Sequence, residues 1–214
     1  MTRKVLIFEL LMIAAAIGAT LTVLSHMPER VATHWGMNGE PNGFSPRESL
    51  WAFGPGALTA LLALTAVLPW LSPRRFEVDS FRSTYNFIML AVFLMMAYVY
   101  GIILWAGSGI HVDVSRFAMG GVCLFIAVIG NVLSKVRPNF YIGVRTPWTL
   151  ANEKVWYATH RFAAKSMVLG GVLGLAMAIA GVQFGPVAAI MAGALAPVVY
   201  SLVLYKQLEH RGEL

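Results

Sequence analysis

Six apolar runs, each long enough to cross a lipid bilayer, constrain the fold of this sequence more than any other feature. A spanning helix needs about 20 mostly apolar residues, because the hydrocarbon core of a bilayer is about 30 Å thick. Charged residues make up only 12% of the chain, whereas soluble domains carry about 25%. The sequence therefore predicts an all-α, polytopic membrane protein with six transmembrane helices. The six runs lie at about residues 5–25, 50–71, 84–106, 114–133, 166–184 and 187–205.

Lys and Arg residues are distributed unequally between the segments that connect these runs. If the N-terminus is cytoplasmic, thirteen of the sixteen lie in inner segments and three, Arg30, Arg47 and Arg116, lie in outer segments. Short cytoplasmic segments collect Lys and Arg, so we expect both termini in the cytoplasm. We also expect the first run to be retained as a helix and not removed as a signal peptide. Because the inner segments hold most of the cations, topology explains the net charge of +6, and we expect anionic membrane lipids as partners and no direct contact with nucleic acid.

The longest segment between two apolar runs, residues 134–165, is also the most basic. We call it the inner motif; it holds six of the sixteen Lys and Arg residues and reads SKVRPNFYIGVRTPWTLANEKVWYATHRFAAK. Thr146 suits a helix N-cap, and Pro147 suits the first helical position, where its missing N–H costs nothing. These residues predict a helix over about 147–165. Because no face of this helix is purely apolar, we expect it to lie at the inner membrane surface between spans four and five.

Acid–base chemistry is one hypothesis for this predicted helix. Glu153, Tyr157 and His160 share one helical face, and Arg145 lies shortly before them, as a membrane-interface or lipid-modifying enzyme could require. The alternative is structural: Glu153 pairs with Arg145 or Arg137, and His160 caps a loop carbonyl. We favour the structural alternative over catalysis.

Arg145 is the expected hub of the inner motif, since its guanidinium presents five donors in a rigid fork. Its candidate partners are Glu153, a lipid phosphate, and Glu9 of the first span. A carboxylate at the depth of Glu9 is costly unless it pairs or reaches the interface. We expect Glu9 to reach the inner interface beside Arg3 or Lys4; facing the bundle to meet a basic residue of the inner motif is the alternative.

The outer segment, residues 26–49, is dense in Pro and Gly, which predicts a tightly turned loop. Trp35 is expected to anchor this loop at the membrane interface. His34 is expected either to contact a ligand or to make a structural hydrogen bond. Cys123 is the single cysteine; it lies mid-span, so we expect it to be buried and to form no intrachain disulfide.

Several kinds of chemistry have no counterpart in the sequence. There is no Walker loop, no HExxH, CxxC or GxSxG motif, and no pair of histidines at metal-binding spacing. We therefore expect neither a cofactor nor a metal site. Between Ser166 and Tyr205 no residue is charged, which argues against an ion path through the last two spans and weakens a transporter hypothesis. Small residues recur every four positions there, and they predict close helix packing.

Two blocks of the sequence resemble the SdpI-like family, which includes the immunity protein for the sporulation-delaying peptide toxin. The first reads GN-6-PNFYIGVRTPWTLANEKVW-3-H from Gly130 to His160, and the second lies in the outer segment, where it resembles a companion domain of unknown function. Residues that match the inner pattern are Asn131, Pro138, Asn139, Gly143, Arg145, Thr146, Pro147, Trp148, Glu153, Trp156 and His160. Residues that match the outer pattern are Pro28, His34, Trp35, Gly36 and Gly39.

The resemblance implies a multi-pass protein of the bacterial cytoplasmic membrane that confers resistance to a peptide toxin and transmits a signal. It implies a peptide toxin outside and a cytoplasmic regulator inside as partners, with the matching residues as ligand- or partner-binding sites. The chain then divides into a two-span unit at 1–72, a third span with its loops at 73–113, and an SdpI-like three-span unit at 114–214. The leading hypothesis is non-enzymatic, and the interface enzyme remains the alternative.

Overall fold

Our computed structural model of the chain describes residues 2–36, 39–72, 78–110 and 113–214. Six helical segments in these ranges are long and apolar enough to cross a membrane, which confirms the all-α, polytopic fold class. The second spanning segment begins at Arg47, where a short 3-10 turn and a π-helical turn precede the α-helix. The elements in chain order are α1 (Arg3–Val23), β1 (Arg30–Trp35), β2 (Pro41–Pro46), α2 (Ala57–Leu71), α3 (Arg82–Gly107), α4 (Val114–Leu133), α5 (Pro147–Ala151), α6 (Glu153–Ile179) and α7 (Gly185–His210).

The first three spans pack around a core that includes buried hydroxyl groups. The Thr20 side chain of α1 hydrogen-bonds the Tyr100 hydroxyl of α3, and the Tyr85 hydroxyl of α3 donates to the Thr65 carbonyl of α2 at 2.8 Å. A Cβ at Gly54 would lie 2.4 Å from the Tyr100 ring, so only glycine lets the π-helical turn approach α3. These contacts fix the relative positions of the three helices.

The last three spans approach one another through small residues, as the sequence predicts. A Cβ at Gly170 would lie 2.5 Å from the Ala189 carbonyl oxygen, and one at Gly193 would lie 2.6 Å from the Ser166 carbonyl oxygen. The backbones of α6 and α7 are therefore in direct contact. Cys123 of α4 is 0% exposed, which confirms that it is a buried residue of its span.

The outer segment contains a β-hairpin that the sequence does not predict. Strands β1 and β2 pair antiparallel from Arg30 opposite Pro46 to Trp35 opposite Pro41, with irregular register around His34. Val31 is 1% exposed, so the hairpin buries one side chain against the helices while prolines occupy both ends of β2. The sequence did not indicate these strands because the segment is rich in proline and glycine, which are depleted in strands.

The predicted surface helix over 147–165 has the wrong bounds. A separate helix does lie between the fourth and fifth spans, but it is α5 and has five residues. Asn152 then caps α6 by accepting hydrogen bonds from the backbone N–H groups of Lys154 and Val155, and α6 continues without a break to Ile179. The charged residues near 165 mark where the helix enters the apolar region, and a helix need not end there.

The inner motif and the C-terminus lie on the same side of the bundle. The Lys154 ammonium donates to the Glu213 carbonyl at 3.1 Å, and six spans place the N-terminus on that side as well. We call this side inner and the hairpin side outer, following the predicted orientation. That this side faces the cytoplasm stays a prediction.

Candidate functional site

Asn139 organises the loop at the start of the inner motif. Its side chain is 0% exposed and makes four hydrogen bonds. The amide nitrogen donates to the carbonyls of Arg137 and Ile142 at 2.8 and 3.0 Å, and the amide oxygen accepts from the N–H groups of Tyr141 and Ile142 at 2.7 Å. Both donors and both acceptor positions of the amide are used, so this one side chain holds residues 137–142 in a fixed turn.

His160 joins this loop to helix α6. Its Nε2 accepts from the Val144 N–H at 3.1 Å, and its Nδ1 lies 2.8 Å from the Trp156 carbonyl. An N–H donor needs a lone pair, so Nε2 carries no proton and Nδ1 donates, which defines a neutral imidazole. The ring also stacks on Trp156 at 4.1 Å, and the Trp156 indole N–H donates to the Val136 carbonyl at 2.9 Å.

Gly143 lets the loop pass directly over His160. Its φ is +119°, and a Cβ there would lie 2.2 Å from His160 Nε2. Any other residue at this position would both strain the backbone and displace the imidazole from its hydrogen bond to Val144.

Thr146 and Thr149 form a capping box that starts α5, with Pro147 at the first helical position. The Thr146 hydroxyl also lies 3.0 Å from the Ser201 hydroxyl of α7, and the Thr149 hydroxyl donates to the Val144 carbonyl at 2.8 Å. The N-cap inferred from the sequence is therefore confirmed. It also ties the inner motif to the last span.

The matching residues of the inner motif divide into an internal group and a surface group. Four of them are buried and hydrogen-bonded: Asn139, Thr146, Trp156 and His160. Pro138 and Trp148 are half-buried. The remaining five are exposed: Asn131, Gly143, Arg145, Pro147 and Glu153. The internal group builds the loop, to which Gly143 and Pro147 also contribute through their backbone. Asn131, Arg145 and Glu153 remain as exposed side chains that can meet a partner.

The ion pairs proposed for Arg145 do not form. Among the residues that the structure describes, Arg145 makes no ion pair or hydrogen bond with Glu153 or Glu9, and Arg137 makes none with Glu153. Glu9 of α1 is 1% exposed, so its expected position at the inner interface beside Arg3 or Lys4 is wrong. It faces the bundle, which was the alternative expectation, but its Oε2 has no hydrogen-bond partner among the residues that the structure describes.

The residues of the enzyme alternative do not converge on one site. Glu153 is exposed, whereas His160 is 0% exposed and both its ring nitrogens are already hydrogen-bonded. The expectation that His160 caps a loop carbonyl is also wrong, because it accepts from a loop N–H and donates within its own helix. In the described ranges, no group of three or more His, Cys, Asp and Glu residues could hold a metal ion.

At the other end of the bundle, a cavity of about 590 Å³ lies between the hairpin and the outer ends of α3, α4, α6 and α7. We call it the outer cavity. Three of the five outer-segment candidates, His34, Trp35 and Gly36, line it, whereas Pro28 and Gly39 do not. The other lining residues used below are Thr33, Asp113, Ser115, Arg116, Ala178 and Gly181.

Arg116 and Ser115 hold the walls of the outer cavity together. The Arg116 guanidinium donates to the carbonyls of Ala178 and Ile179 at the C-terminal end of α6, where a cation also offsets the helix dipole. The Ser115 hydroxyl donates to the Gly36 carbonyl at 3.2 Å and so ties the hairpin to α4. The sequence pointed to Arg116 only as one of three outer cations, and its role in the cavity was missed.

His34 and Trp35 differ in solvent exposure. His34 is exposed, and its Nδ1 hydrogen-bonds the Asn42 side chain across the hairpin, so the structural hydrogen bond expected for it is present. Trp35 is half-buried. Both residues belong to β1 and take their positions from its pairing with β2.

The fold and these two sites define a multi-pass helical membrane protein with a β-hairpin over one end and a hydrogen-bonded motif at the other. Residues 135–203 match the SdpI/YfhL protein family, and residues 11–59 match a domain of unknown function, DUF1648. The chain is 23% identical to the immunity protein SdpI of Bacillus subtilis (strain 168) over 167 residues, which cover 78% of each chain. The resemblance to the SdpI family is thus confirmed. No solved structure matches the chain.

Proposed function

We propose that this chain is a peptide-toxin immunity and signalling protein of the bacterial cytoplasmic membrane, acting by binding and not as an enzyme. The outer cavity receives a peptide, and the exposed face of the inner motif engages a cytoplasmic regulator. The first part rests on the similarity to an immunity protein and on the cavity.

The observation that carries the proposal is that the two family matches meet at the outer cavity. His34 and Trp35 come from the segment that matches DUF1648, and Ala178 and Gly181 come from the segment that matches the SdpI/YfhL family. A volume of about 590 Å³ falls within the range of roughly 300–1,000 Å³ that is usual for ligand sites. A ligand there would contact both segments at once.

Helix α6 supports the signalling part of the proposal, because it reaches both sites. Ala178 lies at its outer end, His160 lies near its inner end, and its 27 residues are uninterrupted. At about 1.5 Å per residue the helix is roughly 40 Å long. A shift of α6 caused by a ligand outside would therefore move Trp156 and His160, and with them the loop that both residues hold.

The inner surface offers the cytoplasmic regulator a cationic face. All six Lys and Arg side chains of the inner motif are exposed, which favours a partner with a complementary acidic surface. The residues are Lys135, Arg137, Arg145, Lys154, Arg161 and Lys165.

A protection assay tests this function. Toxin-sensitive cells that lack their own immunity protein would produce this chain and be challenged with the sporulation-delaying peptide toxin. We expect survival with the unaltered chain, and lower survival with His34→Ala or Trp35→Ala at equal amounts of protein in the membrane. The matched control is Trp70→Ala, which removes a tryptophan that is 83% exposed and lies far from the cavity.

Two outcomes would contradict the proposal. No protection by the unaltered chain would refute immunity to this peptide. Full protection by both cavity variants would refute the outer cavity as the peptide site while leaving immunity itself intact.

A further inference from the structure

A separate pocket lies near the inner ends of α4, α6 and α7. It is a pocket of about 520 Å³ whose polar and aromatic lining comes from Ser134, Arg161, Phe162, Lys165 and Tyr200. It shares no residue with the outer cavity, and it does not include the surface residues Arg145 and Glu153 of the inner motif. The function proposed above counts Arg161 and Lys165 only as part of the exposed cationic face and gives the pocket itself no role.

The charge of this pocket is suited to an anion. Arg161 and Lys165 are four residues apart on α6, so their side chains are neighbours on one helix face. Both are exposed, and neither forms an ion pair with a carboxylate among the residues that the structure describes. No acidic residue lines the pocket, and the hydroxyl groups of Ser134 and Tyr200 add two further donors.

The depth of the pocket places it at the level of lipid phosphates. Arg161 precedes Ile179, the last residue of α6, by 18 residues, which is about 27 Å along the helix. The hydrocarbon core is about 30 Å thick, so with Ile179 at one boundary Arg161 lies close to the other. Lys165 lies one turn deeper, and its long side chain can extend to the same boundary. The rings of Phe162 and Tyr200 stack beside Arg161 with centroids 4.8 Å apart, and tyrosine is one of the residues enriched at membrane interfaces.

We propose that this pocket binds the phosphate group of an anionic phospholipid from the inner leaflet. Arg161 and Lys165 hold the phosphate, with the Ser134 and Tyr200 hydroxyls as hydrogen-bond donors. The acyl chains extend along the outside of α6, where Leu169, one turn beyond Lys165, is 60% exposed. The proposal does not depend on the function proposed above, since it concerns a different pocket.

Lipid retention by the purified full-length chain tests this site. The protein in neutral detergent would be titrated with phosphatidylglycerol, phosphatidylcholine or inorganic phosphate, and bound lipid would be counted by native mass spectrometry. We expect retention of phosphatidylglycerol, and about thirtyfold weaker retention by the Arg161→Gln, Lys165→Gln double variant, because each of the two cations contributes about 1 kcal/mol near a lipid surface and every 1.4 kcal/mol is about tenfold. The matched control is Lys135→Gln with Arg137→Gln, two exposed cations of the inner motif that lie outside the pocket.

The control measurements distinguish a specific lipid site from general attraction to a basic surface and from a site for free phosphate. Equal losses in the two double variants would overturn the proposal in favour of general attraction to a basic surface. Equal retention of phosphatidylcholine would also overturn it, because the anionic charge would then not matter. If inorganic phosphate displaced phosphatidylglycerol at equal concentration, the site would bind free phosphate and the lipid assignment would be wrong.

Discussion

Replacement of Gly143 by alanine is the sharpest test of how the inner motif is held together. The added Cβ would lie 2.2 Å from His160 Nε2 at a φ of +119°, so either the loop or the imidazole must move. The movement breaks the hydrogen bond from the Val144 N–H and disturbs the stack of His160 on Trp156.

The size of the effect follows from two contributions. A non-glycine residue in this backbone region costs about 2 kcal/mol, and the lost hydrogen bond of a buried group costs about 1 kcal/mol more. The matched control is Gly181→Ala, because Gly181 has a φ of +75° but open space around its missing Cβ. It should cost only the backbone term for a left-handed residue, about 1 kcal/mol.

Thermal unfolding in detergent can be followed by the reaction of a thiol dye with Cys123. This is the chain's single cysteine and it is 0% exposed, so it reacts only when the bundle opens. A difference of about 2 kcal/mol between the two variants corresponds to a midpoint about 4–8 °C lower for Gly143→Ala than for Gly181→Ala. In a His160→Ala background the clash is absent, so the additional cost of Gly143→Ala should shrink. Equal midpoints for Gly143→Ala and Gly181→Ala would refute the contact with His160.

Three further substitutions test other parts of the structure. Asn139→Asp removes both amide donors and places a carboxylate against two carbonyls, so it should lower the free energy of unfolding by about 3 kcal/mol. The control Asn131→Asp, at an exposed site, should not lower it, and equal unfolding midpoints for the two variants would contradict the role of Asn139. Glu9→Gln removes the charge of a buried carboxyl whose Oε2 has no hydrogen-bond partner among the residues that the structure describes. The unfolding midpoint should therefore stay the same or rise, and a clear fall would reveal a stabilising role for the carboxylate. Arg145→Lys and Arg145→Ala should both leave stability within about 0.5 kcal/mol, because Arg145 makes no ion pair with Glu153 or Glu9 among the residues that the structure describes, and a clearly lower midpoint for either variant would reveal a structural contact of Arg145.

The spans could be predicted from the sequence because hydropathy and length alone decide whether a helix can cross a bilayer. The boundary of α6 could not, because hydropathy marks the edge of the membrane and not the end of a helix. Arg161 and Lys165 reduce the apolar character of their segment, but both have high helix propensity. The helix therefore runs from Asn152 through that edge without interruption.

The residues of the inner motif were found from the sequence, but their roles were not. Arg145 was predicted to be the hub because of its charge, whereas Asn139 and His160 make the hydrogen bonds that hold the loop. Their partners are mostly backbone groups up to sixteen residues away, and a side-chain pattern cannot reveal those. The outer cavity was missed for a similar reason, since it combines the hairpin with residues near 113–116 and 178–187.

The orientation of the two sites is the claim on which the proposed function depends, and cysteine labelling of intact cells measures it directly. In a Cys123→Ala background, Phe44→Cys places a thiol on the hairpin, where Phe44 is 48% exposed, and Arg137→Cys places one on the inner motif. We expect a membrane-impermeant maleimide to label Phe44→Cys in intact cells, and to label Arg137→Cys only after the membrane is disrupted. Labelling of Arg137→Cys but not Phe44→Cys in intact cells would place the outer cavity in the cytoplasm and contradict the proposed function.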